Sequence, residues 1–425
     1  MTVTDPVEAR PLADEYQAFL ECRPDLLADP FPLFARMRRE APIYRHPGQV
    51  VITRYEDVAA MLTDERFLVG HAGMRSSKSR AALARLDAAE REEALFILGF
   101  RERWLSNRNG DEHDRLRALA HKAFTPRVIN AIAERVQQIA DDLLSTAAAA
   151  DGEIDLIADF AWQFPLIVIS EMLDVPAEDR YEVREWSNAI MAFADGAYSP
   201  AISAGYAGAR QFGDYLTRLF ARRRGTDTTD LLGALLNAEL EAEETFSDRD
   251  LVALVSQFLF AGHETTTNLI ANGLNAMLGR FPDQWEMLCE DPALAARATE
   301  ESFRYEVSAQ QSQRVAAVAC ELQGVPIKQW DTVMLTFSAA NRDPDAYENA
   351  DTFDMMRTGP KHLGLGLGPH YCLGASLARL ETTTAYATLA RRFPDMCLTG
   401  GAVRTANHRL RGFDKLPVRL GRDAG

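Results

Sequence analysis

Apolar residues recur at spacings of three and four through 131–150, 215–222 and 231–240, the period of helices that bury one face. Strand-like runs are short and few: 50–53, 332–335 and 416–420. The pattern predicts a mainly α fold with a small β component rather than alternating β and α units. Two polar stretches, 71–109 and 222–230, read as loops or mobile segments. The Arg222-Arg223-Arg224 run reads as a solvated helix end. No repeat, low-complexity tract or long linker marks a boundary, so 1–425 is expected to form a single large domain.

One helix should dominate. Ser247, with Asp250 three residues on, resembles a capping box. Apolar residues continue to Phe281, and Pro282 stops the run. At about 1.5 Å per residue this helix is roughly 50 Å long and crosses a whole domain. Its middle reads Ala261-Gly262-His263-Glu264-Thr265-Thr266-Thr267, rich in poor helix formers. Thr265 can bond back to the Ala261 carbonyl and bend the helix. Gly262 reads as opening a groove where a ligand approaches the backbone.

Composition narrows the classes. A chain of 425 residues, 47% of them hydrophobic, can bury a large core. The formal net charge of −16 argues against bulk binding to nucleic acid or to an anionic membrane surface, since both need a basic face. No apolar stretch reaches the roughly 18–20 residues of a membrane helix, and the start lacks a basic, then apolar, leader. A cytoplasmic location is expected, without nucleic-acid or membrane partners. The five cysteines, Cys22, Cys289, Cys320, Cys372 and Cys397, form no Cys-x-x-Cys pair, which argues against structural zinc and thioredoxin-like chemistry.

Cys372 stands apart because of its neighbours. Gly364, Gly366 and Gly368 alternate before it, and a helix is expected to start just after it, through 375–380. At a helix N-terminus a thiolate is stabilised by the dipole and by free N–H groups, and glycines let several backbone N–H groups turn toward the sulfur. Competing readings fail on spacing. A dinucleotide Gly-x-Gly-x-x-Gly would end on Pro369 or Tyr371, no Gly-Lys-Ser/Thr follows for a phosphate loop, and a deaminase site lacks its second cysteine. His263-Glu264 is not a zinc-protease motif, because Thr267 stands where the second histidine belongs.

Leu365-Gly366-Leu367-Gly368-Pro369-His370-Tyr371-Cys372-Leu373-Gly374 resembles the cysteine signature of the cytochrome P450 family in all but its first position. Ala261 to Thr266 is similar to that family's long-helix signature, and Glu301-Ser302-Phe303-Arg304 to its Glu-x-x-Arg. Further likeness covers most of the chain: His113-Asp114-Arg115-Leu116-Arg117, Phe124-Thr125-Pro126-Arg127, Ala340-Asn341-Arg342-Asp343-Pro344, and the segments around Asp29 and Leu416.

The resemblance implies a soluble, bacterial-type haem-thiolate monooxygenase with a single cytochrome P450 fold and haem b. Cys372 would ligate the iron. Glu264 and Thr265 would carry protons through water to the dioxygen being reduced. His113, Arg117, Arg314 and His370 would bond the haem propionates. Glu301 and Arg304 would form a structural ion pair with Arg342. Electrons would come from NAD(P)H through a ferredoxin reductase and a ferredoxin, for which Arg115, Lys122 and Lys361 are candidate contacts. The substrate would be a medium-sized organic molecule, most simply hydroxylated. Oxidative coupling, a peroxide-driven reaction and a non-catalytic haem sensor stay open. Residues 71–109 and 186–205 would cover the pocket.

Two positions depart from the family pattern. Leu365 replaces an aromatic beside the sulfur, where surroundings tune the metal. Ser308 replaces a proline and precedes Ala309-Gln310-Gln311-Ser312-Gln313, a polar run that points to amide or hydroxyl groups on the substrate.

Overall fold

The computed structural model describes residues 10–70, 81–149, 152–194, 201–226, 231–240 and 247–424. Helices that position the site are α1 (Ala88–Glu102), α2 (Gly110–Ala123), α3 (Gln163–Met172), α4 (Ile202–Arg223), α5 (Asp248–Asn275), α6 (Ala295–Tyr305) and α7 (Ala375–Arg392). The expected 131–150 helix is Ala133–Ala148, 215–222 falls inside the longer α4, and Leu231–Leu240 stands as read. Arg222 and Arg223 occupy the last turn of α4, where cations suit the exposed carbonyls. Residues 227–230 of the second polar stretch lie outside the described residues.

The first polar stretch is corrected. Residues 71–80 lie outside the described residues, but α1 occupies much of the rest. The Asp87 side chain accepts from the Glu90 N–H while Glu90 reaches back to the Asp87 N–H, so the start is fully capped. Only Ala94 and Ile97 are fully buried on this helix, and its wide charged face made it look like a loop.

Helix α5 follows expectation. Ser247 caps it by accepting from the Asp250 N–H at 3.2 Å, and a π turn, Ala276–Arg280, continues it to Phe281. The Thr265 hydroxyl does donate to the Ala261 carbonyl at 2.9 Å, and Thr267 does the same to His263. His263 Nδ1 donates to the Leu259 carbonyl at 2.9 Å. These local bonds satisfy polar side chains within the helix, which runs unbroken from 248 to 275.

Five strands, β1 (Ile43–His46), β2 (Gln49–Ile52), β3 (Phe67–Leu68), β4 (Gln311–Ala316) and β5 (Thr332–Thr336), form one sheet in the order β1-β2-β5-β4-β3. The β2–β5 pair is parallel, with Val50 opposite Val333, and the other pairs are antiparallel. The closing run 416–420 supplies Pro417–Arg419, paired with Glu153–Asp155 and Cys397–Leu398. Two cores result. Phe160, Phe164, Leu254, Ile270, Tyr386 and Leu389 sit in the larger, helical one. Val50, Ile52, Val333, Leu335 and Phe337 sit in the smaller one on the sheet. No helix is long and apolar enough to cross a membrane among the described residues.

Candidate active site at the Cys372 loop

The cysteine loop is a series of tight turns. Gly366 and Gly368 have φ of +71° and +68°, left-handed values that side chains disfavour. They let Gly366 N–H bond Leu363 O at 2.9 Å and Tyr371 N–H bond Gly368 O at 3.0 Å. Cys372 N–H is taken by Leu365 O at 2.9 Å, and α7 begins three residues on. Burial pushes the Cys372 thiol up, while the Gly374 N–H, Arg117 and Arg379 act against it. The expectation that several backbone N–H groups face the sulfur therefore narrows, among the described residues, to that of Gly374.

Cys372 lines a cavity with about 1510 Å³ of empty space, counting the part open to solvent. Seven of the eight singled-out residues share its wall: Cys372, Leu365, His370, His113, Arg117, Arg314 and Thr265. Glu264 does not; it follows on α5, half-buried, one residue before Thr265. Leu365 is 7% exposed and packs with Leu269, Phe303, Ala375 and Cys372.

Four of these residues are basic and crowded. The His113 and His370 rings are 4.2 Å apart. Burial, then His113, Arg314 and Arg117, push the His370 imidazole down to about 3. Burial brings the Arg314 guanidinium down to about 10. Among the described residues Arg314 bonds the Ser312 hydroxyl and the Gln313 carbonyl, and Arg117 the Tyr371 carbonyl. Neither forms an ion pair among the described residues. His113 Nε2 is buried without a partner, while its Nδ1 meets the exposed Asp114. Two guanidiniums without ion-pair partners among the described residues, beside two imidazoles in one cavity wall, fit a ligand that brings its own carboxylates. The haem expected from the resemblance brings two, and Cys372 offers a thiol in the same cavity.

Other expectations have mixed outcomes. Gly262 lines the cavity together with Ala261, Thr265 and Thr266, as the groove reading expects, and it also lets α5 pack close to α3, since a Cβ there would meet Ile169 Cγ1 at 3.0 Å. Glu301 and Arg304 do form a buried bidentate pair, at 2.7 and 2.8 Å. The third partner is Arg357, 3.3 Å from Glu301, and not Arg342. Arg342 instead lies over the rings of Phe31 and Tyr305 and donates to the Tyr305 carbonyl. In the polar run, Ser308, Ala309 and Ser312 line the cavity and the glutamines do not. Gln310 is buried and donates to the His408 carbonyl. Of the expected cover, Leu105 and Ser106 line the cavity; among the described residues of 186–205 none does, and 195–200 lie outside them.

Glu381 of α7 went unnoticed in the sequence, where a charge on a helix reads as solvated. It lines the cavity, is fully buried, and has both carboxyl oxygens without a partner in hydrogen-bond geometry. Burial raises it well above the usual carboxylate range, with Thr266 opposing.

A family model described as Cytochrome P450 matches residues 209–291 and 279–417. The chain is 36% identical over 413 residues to cytochrome P450 monooxygenase PikC of Streptomyces venezuelae, covering 94% of each chain. It is 35% identical to vitamin D(3) 25-hydroxylase of Pseudonocardia autotrophica, covering 92% of this chain and 94% of that one. Among solved structures, P450BioI in complex with a ligated acyl carrier protein superposes with a TM-score of 0.84 at 30% identity, over 93% of this chain and 100% of that one. Together with the cysteine loop, the Glu301–Arg304 pair and the buried basic cluster around one cavity, these likenesses make the chain a member of the cytochrome P450 family, with haem b as its cofactor.

Proposed function

We propose that this P450 monooxygenase hydroxylates a medium-sized, largely apolar molecule, with electrons passed from NAD(P)H by a ferredoxin reductase and a ferredoxin. The observation that carries the reading is the cavity wall. Leu105, Ile169, Phe258, Val307 and Phe337 make it apolar, and Thr265 and Cys372 line the same cavity. Polar recognition is limited to a few side chains such as Gln257 of α5 and Ser308. The vitamin D(3) 25-hydroxylase and the polyketide biosynthesis cytochrome P450 PksS of Bacillus subtilis are named for a hydroxylating and a biosynthetic role, which supports hydroxylation of a specialised metabolite.

Haem b, when bound, supplies the activation of dioxygen. Cys372 would hold its iron, and His113, Arg117, Arg314 and His370 its carboxylates. The apolar wall excludes water from the reacting carbon. Thr265 donates its proton to the Ala261 carbonyl, so its oxygen would be the acceptor for a water in the cavity. Glu264, outside the wall, would feed protons to that water by way of solvent. The acid–alcohol pair favours dioxygen over peroxide as oxidant, since peroxide brings its own protons. Arg115 and Lys361 are exposed and suit an acidic ferredoxin; the Lys122 side chain lies outside the described residues. The test is reconstitution with a surrogate ferredoxin and reductase across a compound library. Product that requires NAD(P)H and both proteins supports the reading. Product formed only with added hydrogen peroxide overturns it.

A further inference from the structure

Glu300 precedes the Glu-x-x-Arg motif and was passed over in the sequence. On α6 it faces the cysteine loop rather than the Glu301–Arg304 pair. Arg379 of α7 forks onto its carboxylate through Nε and Nη2, the latter at 3.1 Å. His362 Nε2 lies 3.1 Å from Oε2, the oxygen that also accepts from Arg379 Nη2. His362 Nδ1 accepts the Gly364 N–H at 3.2 Å, which leaves Nε2 as the nitrogen that donates to Glu300. The ring is further held flat on Phe303, at 5.1 Å and 14°. At the far end, Arg379 Nη1 donates to the Tyr371 hydroxyl at 3.1 Å. Tyr371 immediately precedes Cys372.

One carboxylate thus touches the first residue of the loop directly and the residue beside the cysteine through one arginine. Phe303, which supports His362, also packs against Leu365 in the small cluster around the sulfur. Glu300 and Arg379 are 45% and 36% exposed, so as a plain surface ion pair they would contribute little to stability. Their arrangement does something a surface pair does not: it ties α6, the loop and α7 together at both ends of a segment only eleven residues long, 362–372.

We infer that Glu300 is a positioning residue for the metal–sulfur bond, acting through His362 and through Arg379 and Tyr371 to hold the Cys372 loop in one geometry. Ligands held by such outer contacts keep their orientation and basicity. The inference rests on the haem-thiolate reading of Cys372.

The test uses the purified holoenzyme and its Glu300→Gln variant. Two quantities are read: the ratio of thiol-type to thiolate-type bands in the reduced carbon monoxide complex during mild warming, and the reduction potential. Glu300→Gln is expected to raise that ratio about fivefold, the change that one kcal/mol produces, and to move the potential. Tyr371→Phe removes only the last link and should shift both in the same direction by less, which keeps the test available if Glu300→Gln folds poorly. Combined with Glu300→Gln, Tyr371→Phe should add almost nothing, because both break one chain of contacts. An unchanged ratio and potential in either variant overturns the clamp. A wild-type protein with no thiolate-type band overturns the haem-thiolate reading and the clamp with it.

Discussion

The imidazole rings of His113 and His370 sit 4.2 Å apart, tilted by 49°, in the wall of the cavity that Arg117 and Arg314 also line. Burial disfavours the charge on Arg117 and Arg314 until an anion joins them, and both work against a charge on His370. Arg314→Met should therefore act with opposite signs on two states. Without haem, the variant should be as stable as the wild type or more so. With haem, dissociation should quicken by roughly 10- to 100-fold, matching the worth of a charge-assisted hydrogen bond, about 1.5–3 kcal/mol. Thermal unfolding of the apoprotein and haem transfer to a scavenger protein measure the two. A destabilised apoprotein with unchanged haem retention would contradict the assignment.

The Glu301–Arg304 pair is almost wholly buried, at 5% and 3% side-chain exposure, and Arg357 joins it. Glu301→Gln leaves two guanidiniums facing a neutral amide. A loss of about 3–5 kcal/mol is expected in urea unfolding, as for other broken buried pairs. A change below about 1 kcal/mol would show that the pair is not a fold determinant.

Glu306 gives the fold an acid limit. Burial alone would raise this carboxyl, but Arg404, Arg411 and Arg342 outweigh burial and hold it down, at about 2. A folded-state pKa below the unfolded one means stability that is full above about 4.5 and lost as pH falls toward about 2. The shift corresponds to about 3 kcal/mol. The stability gap between wild type and Glu306→Gln should be complete at neutral pH and close in acid. A gap of constant size across that range would remove Glu306 as its source.

Much of the site could be read from short-range order along the chain. The glycines and Cys372 lie within nine residues, and a turn that presents a thiol to a helix start is a local property. Glu301 and Arg304 meet on one helix face at a spacing of three. What stayed hidden depended on long loops. Arg357 rather than Arg342 reaches Glu301 because the chain between them folds back, which no spacing encodes. Helix α1 was missed because its exposed face is broad and charged. Gly262 lines the cavity as its place in the long helix suggested, but the close approach of Ile169 from another helix was not legible from spacing. The glutamines at 310, 311 and 313 sit on or beside a strand whose cavity-facing positions are decided by register with β5.

Leu365→Phe restores the aromatic usual beside the sulfur. Leu365 already packs tightly with Leu269, Phe303 and Ala375, so the larger ring should cost about 1–3 kcal/mol. It should also shift the reduction potential, because it changes shape and polarity next to Cys372. Redox titration of both proteins checks this; equal potentials would show that Leu365 has no part in tuning.

The central claim is that Cys372 is the haem iron's thiolate ligand. The reduced carbon monoxide difference spectrum tests it most directly. Wild-type protein should show the red-shifted, thiolate-type band, and Cys372→Ser should lose that band while Cys22→Ser, Cys289→Ser, Cys320→Ser and Cys397→Ser keep it. A Cys372→Ser protein that retains the band, or a wild type that never shows it, would contradict the account.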